Sequence, residues 1–324
     1  MQVLKNISPF DHSWIDKNVG SMDDAALLCP DGIDQGFVFT VDFITPLVDD
    51  PYSFGAIAAA NSISDVYAMG GRPQVALSLC GFPDELVSKE RLGEILRGSR
   101  DKAAEAGVAI VGGHTVIDPE MKIGLCVLGT VDPERAFRQT GAKPGDVLVL
   151  TKPIGTGIAA QGMKKDLLQA DQIERVINAM TRLNADACEA ALAVHAKSAT
   201  DVTGFGLLGH LHNILMASGC AARLEHGRVP VFDFSRELAH QGVIPGGTKR
   251  NLQFVESHVS FADSIDSAER LILADAQTSG GLLIACAPER VDDLIADLKA
   301  RDALAADVVG EIVAGQTGSI DVVA

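Results

Sequence analysis

Short β-branched runs alternate along the chain with longer apolar segments at helical spacing. Residues 25–29, 37–41, 75–79, 108–111, 123–131, 147–150, 282–286 and 308–313 read as strands. Residues 54–69 read as a helix that is apolar almost all round and stops at Gly70-Gly71, which marks it as buried. Residues 88–106 keep helical spacing through Leu92, Ile95, Leu96, Ala103 and Ala106, and Gly107 supplies a stop. One long helix is expected over 171–195, with Ile173, Val176, Ile177, Met180, Leu183, Ala187 and Ala191 on its apolar side. Residues 289–301 form an amphipathic closing helix, while residues 1–20 are weakly patterned. Strands interleaved with helices define an α/β chain.

Composition narrows the class. The 324 residues suffice for two domains, and a polar Gly/Pro break at 143–145 places the boundary between residues 1–144 and 145–324. Forty-three acidic against 27 basic residues leave a formal charge of −16, so nucleic acid and anionic membranes are unfavourable partners. No apolar segment reaches membrane-spanning length. Six scattered cysteines without a CxxC pair read as reduced core thiols of a cytoplasmic protein.

The candidate chemistry centres on Thr200-Asp201-Val202-Thr203-Gly204-Phe205-Gly206-Leu207-Leu208-Gly209-His210, read as strand end, glycine turn and helix start. A helix N-terminus suits phosphate. Asp201 would repel phosphate, so its natural partner there is a shared divalent cation; an ordinary turn with Asp201 as a cap is the plain alternative. Asp23 and Asp24 precede a strand and should point to opposite faces, one towards a metal and the other towards backbone. Asp42 closes the strand 37–41, a place where ligands and turns are both common. Asn61 and Asp65 share one face of the buried helix, and a buried carboxylate calls for a cation or strong donors. Gly112-Gly113-His114-Thr115 reads as a strand-end turn that invites close backbone approach. Lys152 followed by glycines lacks the Walker order, which rejects a P-loop. Asn184 is a ligand or, more plainly, a core hydrogen-bonding group. The stretches 244–251 and 275–281 read as polar turns.

Together, DDAA at 23–26, VDFITP at 41–46, AAANSISDVYAMGG at 58–71, GGHT at 112–115, TKPIGTG at 151–157, ATDVTGFGLLGHL at 199–211, VIPGGTKRN at 243–251 and DAQTSGGLL at 275–283 resemble selenophosphate synthetase (selenide, water dikinase). That family lies in the aminoimidazole ribonucleotide synthetase-like superfamily. The resemblance implies a two-domain fold whose N-terminal strands build a dimer β-barrel. It implies conversion of ATP, selenide and water to selenophosphate, AMP and phosphate with Mg2+. It carries magnesium ligation onto Asp24, Asp65 and Asp201, and nucleotide contacts onto Asp23, Asp42, Asp65, Gly112, Gly113, His114 and Thr115. The last four reach the nucleotide of the partner subunit of a homodimer. The family's reactive Cys or Sec and catalytic Lys lie in a glycine-rich segment upstream of DDAA; neither Lys5 nor any of the six cysteines matches them, so a missing N-terminal segment is expected. A non-catalytic nucleotide-binding paralogue is the alternative, and thiamine-monophosphate kinase a third, opposed by PGGTKRN.

Overall fold

The computed structural model describes residues 12–15 and 23–324. The expectations for residues 1–20 and Lys5 fall outside these, except for residues 12–15. The first half contains β1 (Ala26–Leu28), β2 (Gly36–Ile44), α1 (Pro51–Ala68), β3 (Arg72–Phe82), α2 (Lys89–Glu105), β4 (Ala109–Ile117) and β5 (Lys122–Val131). Its strands form one sheet in the order β1-β2-β5-β3-β4, antiparallel except for the β3–β4 pair. Helix α1 starts where Asp50 accepts the Ser53 N–H and Pro51 occupies the first turn.

Helices α1 and α2 pack at glycines. A Cβ on Gly98 would lie 2.0 Å from the Tyr52 carbonyl oxygen, and one on Gly55 would lie 1.8 Å from that of Ile95. Neither neighbour is a side chain that could swing away. Gly98→Ala is therefore expected to destabilise the fold by about 3 kcal/mol, at the upper end of overpacking penalties. Thermal denaturation checks this, and an unchanged midpoint would mean that the helices can separate freely.

The second half runs β6 (Val147–Leu150), α3 (Thr156–Met163), α4 (Ala170–Thr181), α5 (Ala185–Ala193), β7 (Ser198–Asp201), α6 (Gly206–Ser218) and β8 (Ala221–Glu225). It continues through α7 (Asp233–His240), α8 (Gly246–Val255), β9 (Val259–Phe261), α9 (Ser267–Leu273), β10 (Leu282–Cys286), α10 (Val291–Ala300), β11 (Asp307–Val313) and β12 (Ile320–Val323). Seven strands form a mixed sheet in the order β7-β10-β6-β11-β8-β12-β9. The chain passes from one sheet to the other between Val131 and Val147. One continuous core spans both halves, joining Val66, Tyr67 and Phe137 to Cys188, Ala190 and Ile284.

Four expectations are corrected. The single helix over 171–195 is two, because residues 182–184 leave helical geometry: Lys152 Nζ takes the Arg182 carbonyl, and the Arg182 guanidinium reaches Asp186 and the Arg301 carbonyl. The stretch 244–251 opens helix α8 after Pro245, its first turn held by the Thr248 hydroxyl on Asp275. Residues 112–115 lie inside β4 rather than in a turn, paired with Leu77–Cys80 of β3. Asp42 likewise sits within β2, which continues to Ile44 through pairing with β5.

The first sheet is open among the described residues, ending at β1 on one side and β4 on the other. Its outer face is apolar and exposed at Phe39, Val41 and Phe43 of β2 and Leu77 of β3, and the edge strand β4 exposes Val111, Val116 and Ile117. Cys80, Cys188, Cys220 and Cys286 are buried free thiols. No helix among the described residues is long and apolar enough to cross a membrane.

Candidate active site

The two halves meet where α1 packs against β7, and four carboxylates gather there. Asp24 precedes β1, Asp42 lies on β2, Asp65 sits near the C-terminal end of α1, and Asp201 ends β7. Asp201 and Thr200 pair with Leu282 and Leu283 of β10, just after the glycine pair of the DAQTSGGLL stretch. That pair serves packing against the protein's own backbone. A Cβ on Gly280 would fall 2.0 Å from the Val202 carbonyl oxygen, and one on Gly281 would fall 2.4 Å from the Lys152 nitrogen.

Each carboxylate has its own donors. The Thr40 hydroxyl donates to Asp65 and the Asn61 side chain to Asp42, whose other oxygen takes the Phe43 N–H at 2.7 Å. Asn61 is itself fixed by the Ser279 N–H, 2.8 Å from its Oδ1. The Thr200 hydroxyl donates to Asp24 Oδ1 at 2.8 Å, and the Ser64 hydroxyl lies beside Asp201 and favours its charged form. The second oxygens, Asp24 Oδ2 and Asp201 Oδ2, are buried with no hydrogen-bond partner. Two buried, unpartnered carboxylate oxygens within one charge cluster are costly unless a cation meets them, so the residues present fit a metal.

The electrostatics confirm proximity. Burial, followed by the Asp201 charge, drives the Asp24 and Asp65 carboxyls well above the ordinary range. Burial drives Asp201 up to about 6, with Asp42 adding to the rise and Lys152 opposing it. Burial also raises Asp42. Lys152 is a fully buried cation, lowered by that burial to about 7, which donates to the Arg182 and Ser279 carbonyls at 2.6 and 2.8 Å.

These shifts set a pH dependence. Folded Asp201 keeps a proton that the unfolded chain releases near 3.8, so the stability it provides is present below that pH and lost as pH rises through about 6, and the raised Asp24 and Asp65 carboxyls act in the same direction. His210, lowered by burial to about 4, acts in the opposite direction over the same window, so the carboxylates are read by comparison: the midpoint of the ligand-free parent is expected to fall more, or climb less, between about pH 5 and about pH 7.5 than that of Asp65→Asn. Scanning calorimetry across that window on both proteins is the check; an identical pH dependence in the two would contradict the cluster.

Among the described residues no three His, Cys, Asp or Glu side chains enclose an ion by themselves. That suits Mg2+, which usually takes one or two carboxylates and completes its shell with substrate phosphate and water. A cavity of about 570 Å³ between the halves, lined by Tyr67, Arg72, Arg135 and Cys188 among others, holds none of the four carboxylates.

The structure thus brings Asp24, Asp42, Asp65 and Asp201 together. Asp23 turns aside: its Oδ1 accepts the Gln139 N–H at 2.8 Å, the division of labour expected for adjacent aspartates. Residues 112–115 are not part of this cluster within one chain, since β4 lies three strands from β2, about 14 Å at ordinary strand spacing. Asn184 proves to be a buried hydrogen-bonding group, donating to Ser64 Oγ and the Gly280 carbonyl, both at 2.8 Å. Thr40 and Ser64 were missed in the sequence. Ser64 left a signal, a polar residue one helical turn from Asn61 on a helix otherwise apolar.

Fold and site define a two-domain AIR synthase-related protein: family models described as AIR synthase related protein, N-terminal and C-terminal domains, match residues 22–131 and 143–323. A thiamine-monophosphate kinase from Stenotrophomonas maltophilia K279a superposes with a TM-score of 0.70 at 21% identity, covering 96% of this chain and 92% of its own. The hydrogenase maturation protein HypE in complex with ATP superposes at 0.68 with 20% identity, covering 95% and 87%. These likenesses establish the fold. In sequence, the selenide, water dikinase of Myxococcus xanthus is 47% identical over 307 residues, 93% of this chain and 85% of that protein. The enzyme of Carboxydothermus hydrogenoformans is 44% identical over 287 residues, 89% and 82%. The chain belongs to the selenide, water dikinase family.

Proposed function

We propose that this protein makes selenophosphate from selenide, converting ATP and water to AMP and phosphate in the same cycle. The observation that carries the reading is the convergence of Asp24, Asp65 and Asp201 with two buried carboxylate oxygens left unpartnered. Asp24, Asp65 and Asp201 would hold Mg2+, which when bound neutralises the phosphate oxygens and orients them for attack. The chain's own part is positioning. Asn61 and the Phe43 N–H hold Asp42 at the rim, where it and Asp65 contact the nucleotide. Asp23 ties the approach to β1 to the backbone at Gln139 beside them. Burial around α1 and β7 excludes water from the carboxylates, so each charge acts more strongly on the phosphates than it would in solvent.

Residues 1–144 and 145–324 form the two domains in this reading. The exposed apolar face of the first sheet and its open β4 edge pair with a second copy, completing a barrel and carrying Gly112, Gly113, His114 and Thr115 to the partner's nucleotide. Gly113 leaves β4 no spare room on its own side, since a Cβ there would meet the Ser78 carbonyl oxygen at 2.1 Å. The protein works in the reducing cytoplasm, where free thiols persist. Burial holds the Cys188 and Cys286 thiols up at about 12 and about 11, so neither supplies a thiolate nucleophile at neutral pH.

Selenide-dependent release of AMP and selenophosphate, followed anaerobically by 31P NMR on the protein expressed from its whole gene, tests the assignment. AMP formed at the same rate without selenide would overturn it.

A further inference from the structure

The donors that orient the two half-free carboxylates come from opposite halves of the chain. Asp24 belongs to the first half, yet its hydroxyl donor is Thr200 on β7. Asp201 belongs to β7, yet the hydroxyl beside it that favours its charged form is Ser64 on α1. Each carboxylate thus faces a hydroxyl from the other half and keeps one buried oxygen without a hydrogen-bond partner.

Both hydroxyls are themselves locked. Ser64 Oγ accepts from Asn184 Nδ2, whose other hydrogen goes to the Gly280 carbonyl. Thr200 Oγ1 lies 3.4 Å from His210 Nδ1. The Thr203 N–H donates to His210 Nε2 at 3.1 Å, so that nitrogen carries no proton and Nδ1 does. His210 Nδ1–H thus points at Thr200, and the Thr200 proton is left for Asp24. Ser64, Asn184, Thr200 and His210 are at most 5% exposed, so water cannot replace any of them.

We propose that Thr200 and Ser64, locked by His210 and Asn184, are positioning residues that aim the free oxygens of Asp24 and Asp201 at a shared cation, and that this exchange across the halves makes site assembly and docking of the halves one event. The inference rests on the cation reading above. It adds that neither carboxylate is aimed by its own half. Partners of this kind around metal ligands fix ligand orientation, and their loss typically weakens metal affinity.

The test measures Mn2+ binding by electron paramagnetic resonance in the presence of the non-hydrolysable analogue AMPPCP, with circular dichroism confirming the fold of each variant. Thr200→Val and Ser64→Ala are each expected to weaken Mn2+ affinity about 10- to 100-fold, while Thr200→Ser, which restores the hydroxyl, stays within about 3-fold of the parent. The double variant should lose less than the product of the two single losses, because either one already undoes the shared assembly. Parent-like Mn2+ affinity in both single variants overturns the inference and leaves the cation reading standing. So does a Thr200→Ser variant as weak as Thr200→Val, and strictly multiplicative losses overturn the single assembly event. If the folded parent binds no Mn2+ with the analogue, the cation reading falls and this inference with it.

Discussion

Asp65→Asn is expected to abolish tight binding of Mg·ATP while making the ligand-free protein more stable. The two effects have one cause. Asp65 is buried beside Asp24, Asp42 and Asp201, and Thr40 donates a hydrogen bond to it. Its negative charge is held against desolvation and against three like charges, and a neutral amide of the same shape removes that penalty. A protein that keeps charges crowded in this way gives up stability to hold a site ready for a cation. Loss of a direct ligand should exceed the 10- to 100-fold cost of losing a residue behind one, so affinity should fall by more than about 100-fold. Titration calorimetry with Mg·AMPPCP reads the first effect and the thermal midpoint the second. Tight binding retained by Asp65→Asn would refute its role as a metal ligand. A fall in the ligand-free midpoint would show that the carboxylates do not repel one another as placed.

The second large effect concerns the exposed face of the first sheet. Val41, Cys126, Leu77 and Gly112 are neighbours across β2, β5, β3 and β4, a lateral row through the middle of that face. Leu77 is 45% exposed and Val41 59% exposed in the single chain. Leu77→Glu places a charge in the centre of the proposed interface without touching the carboxylate cluster. Burying an unpaired carboxylate costs several kcal/mol, so the dimer should dissociate at least about 100-fold more readily. Selenide-dependent AMP release should fall with it, because residues 112–115 would no longer reach the partner's nucleotide. Sedimentation velocity and the AMP assay, run on the same preparations, check the link. A parent protein that sediments as a monomer at micromolar concentration, or a monomeric Leu77→Glu protein with full activity, would sink the shared-site reading.

Much of the scaffold could be read from spacing. The buried helix α1, helix α2 within 88–106, strand β6, and the strand–turn–helix order around Asp201 appear where their patterns put them. Errors clustered where distant contacts overrule local preference. The break between α4 and α5 follows from Lys152 claiming the Arg182 carbonyl, and nothing between residues 171 and 195 announces it. The start of α8 at two glycines defies propensity, yet Thr248 is anchored on Asp275 and buried. The paired glycines of the polar turn at 275–281 are devices for packing backbone on backbone, as Gly280 and Gly281 show.

Residue spacing along the chain was thus enough to establish the element types, the acidic residues worth watching and, through eight matching stretches, the family. Those properties depend on side-chain periodicity and residue identity, which the linear chain carries openly. Which oxygen of Asp24 is spoken for and which is free depends on Thr200, 176 positions away, and emerges only when the two halves dock. Hydrogen bonds act over about 3 Å and burial depends on everything packed around a group, so neither can be read from neighbours in sequence.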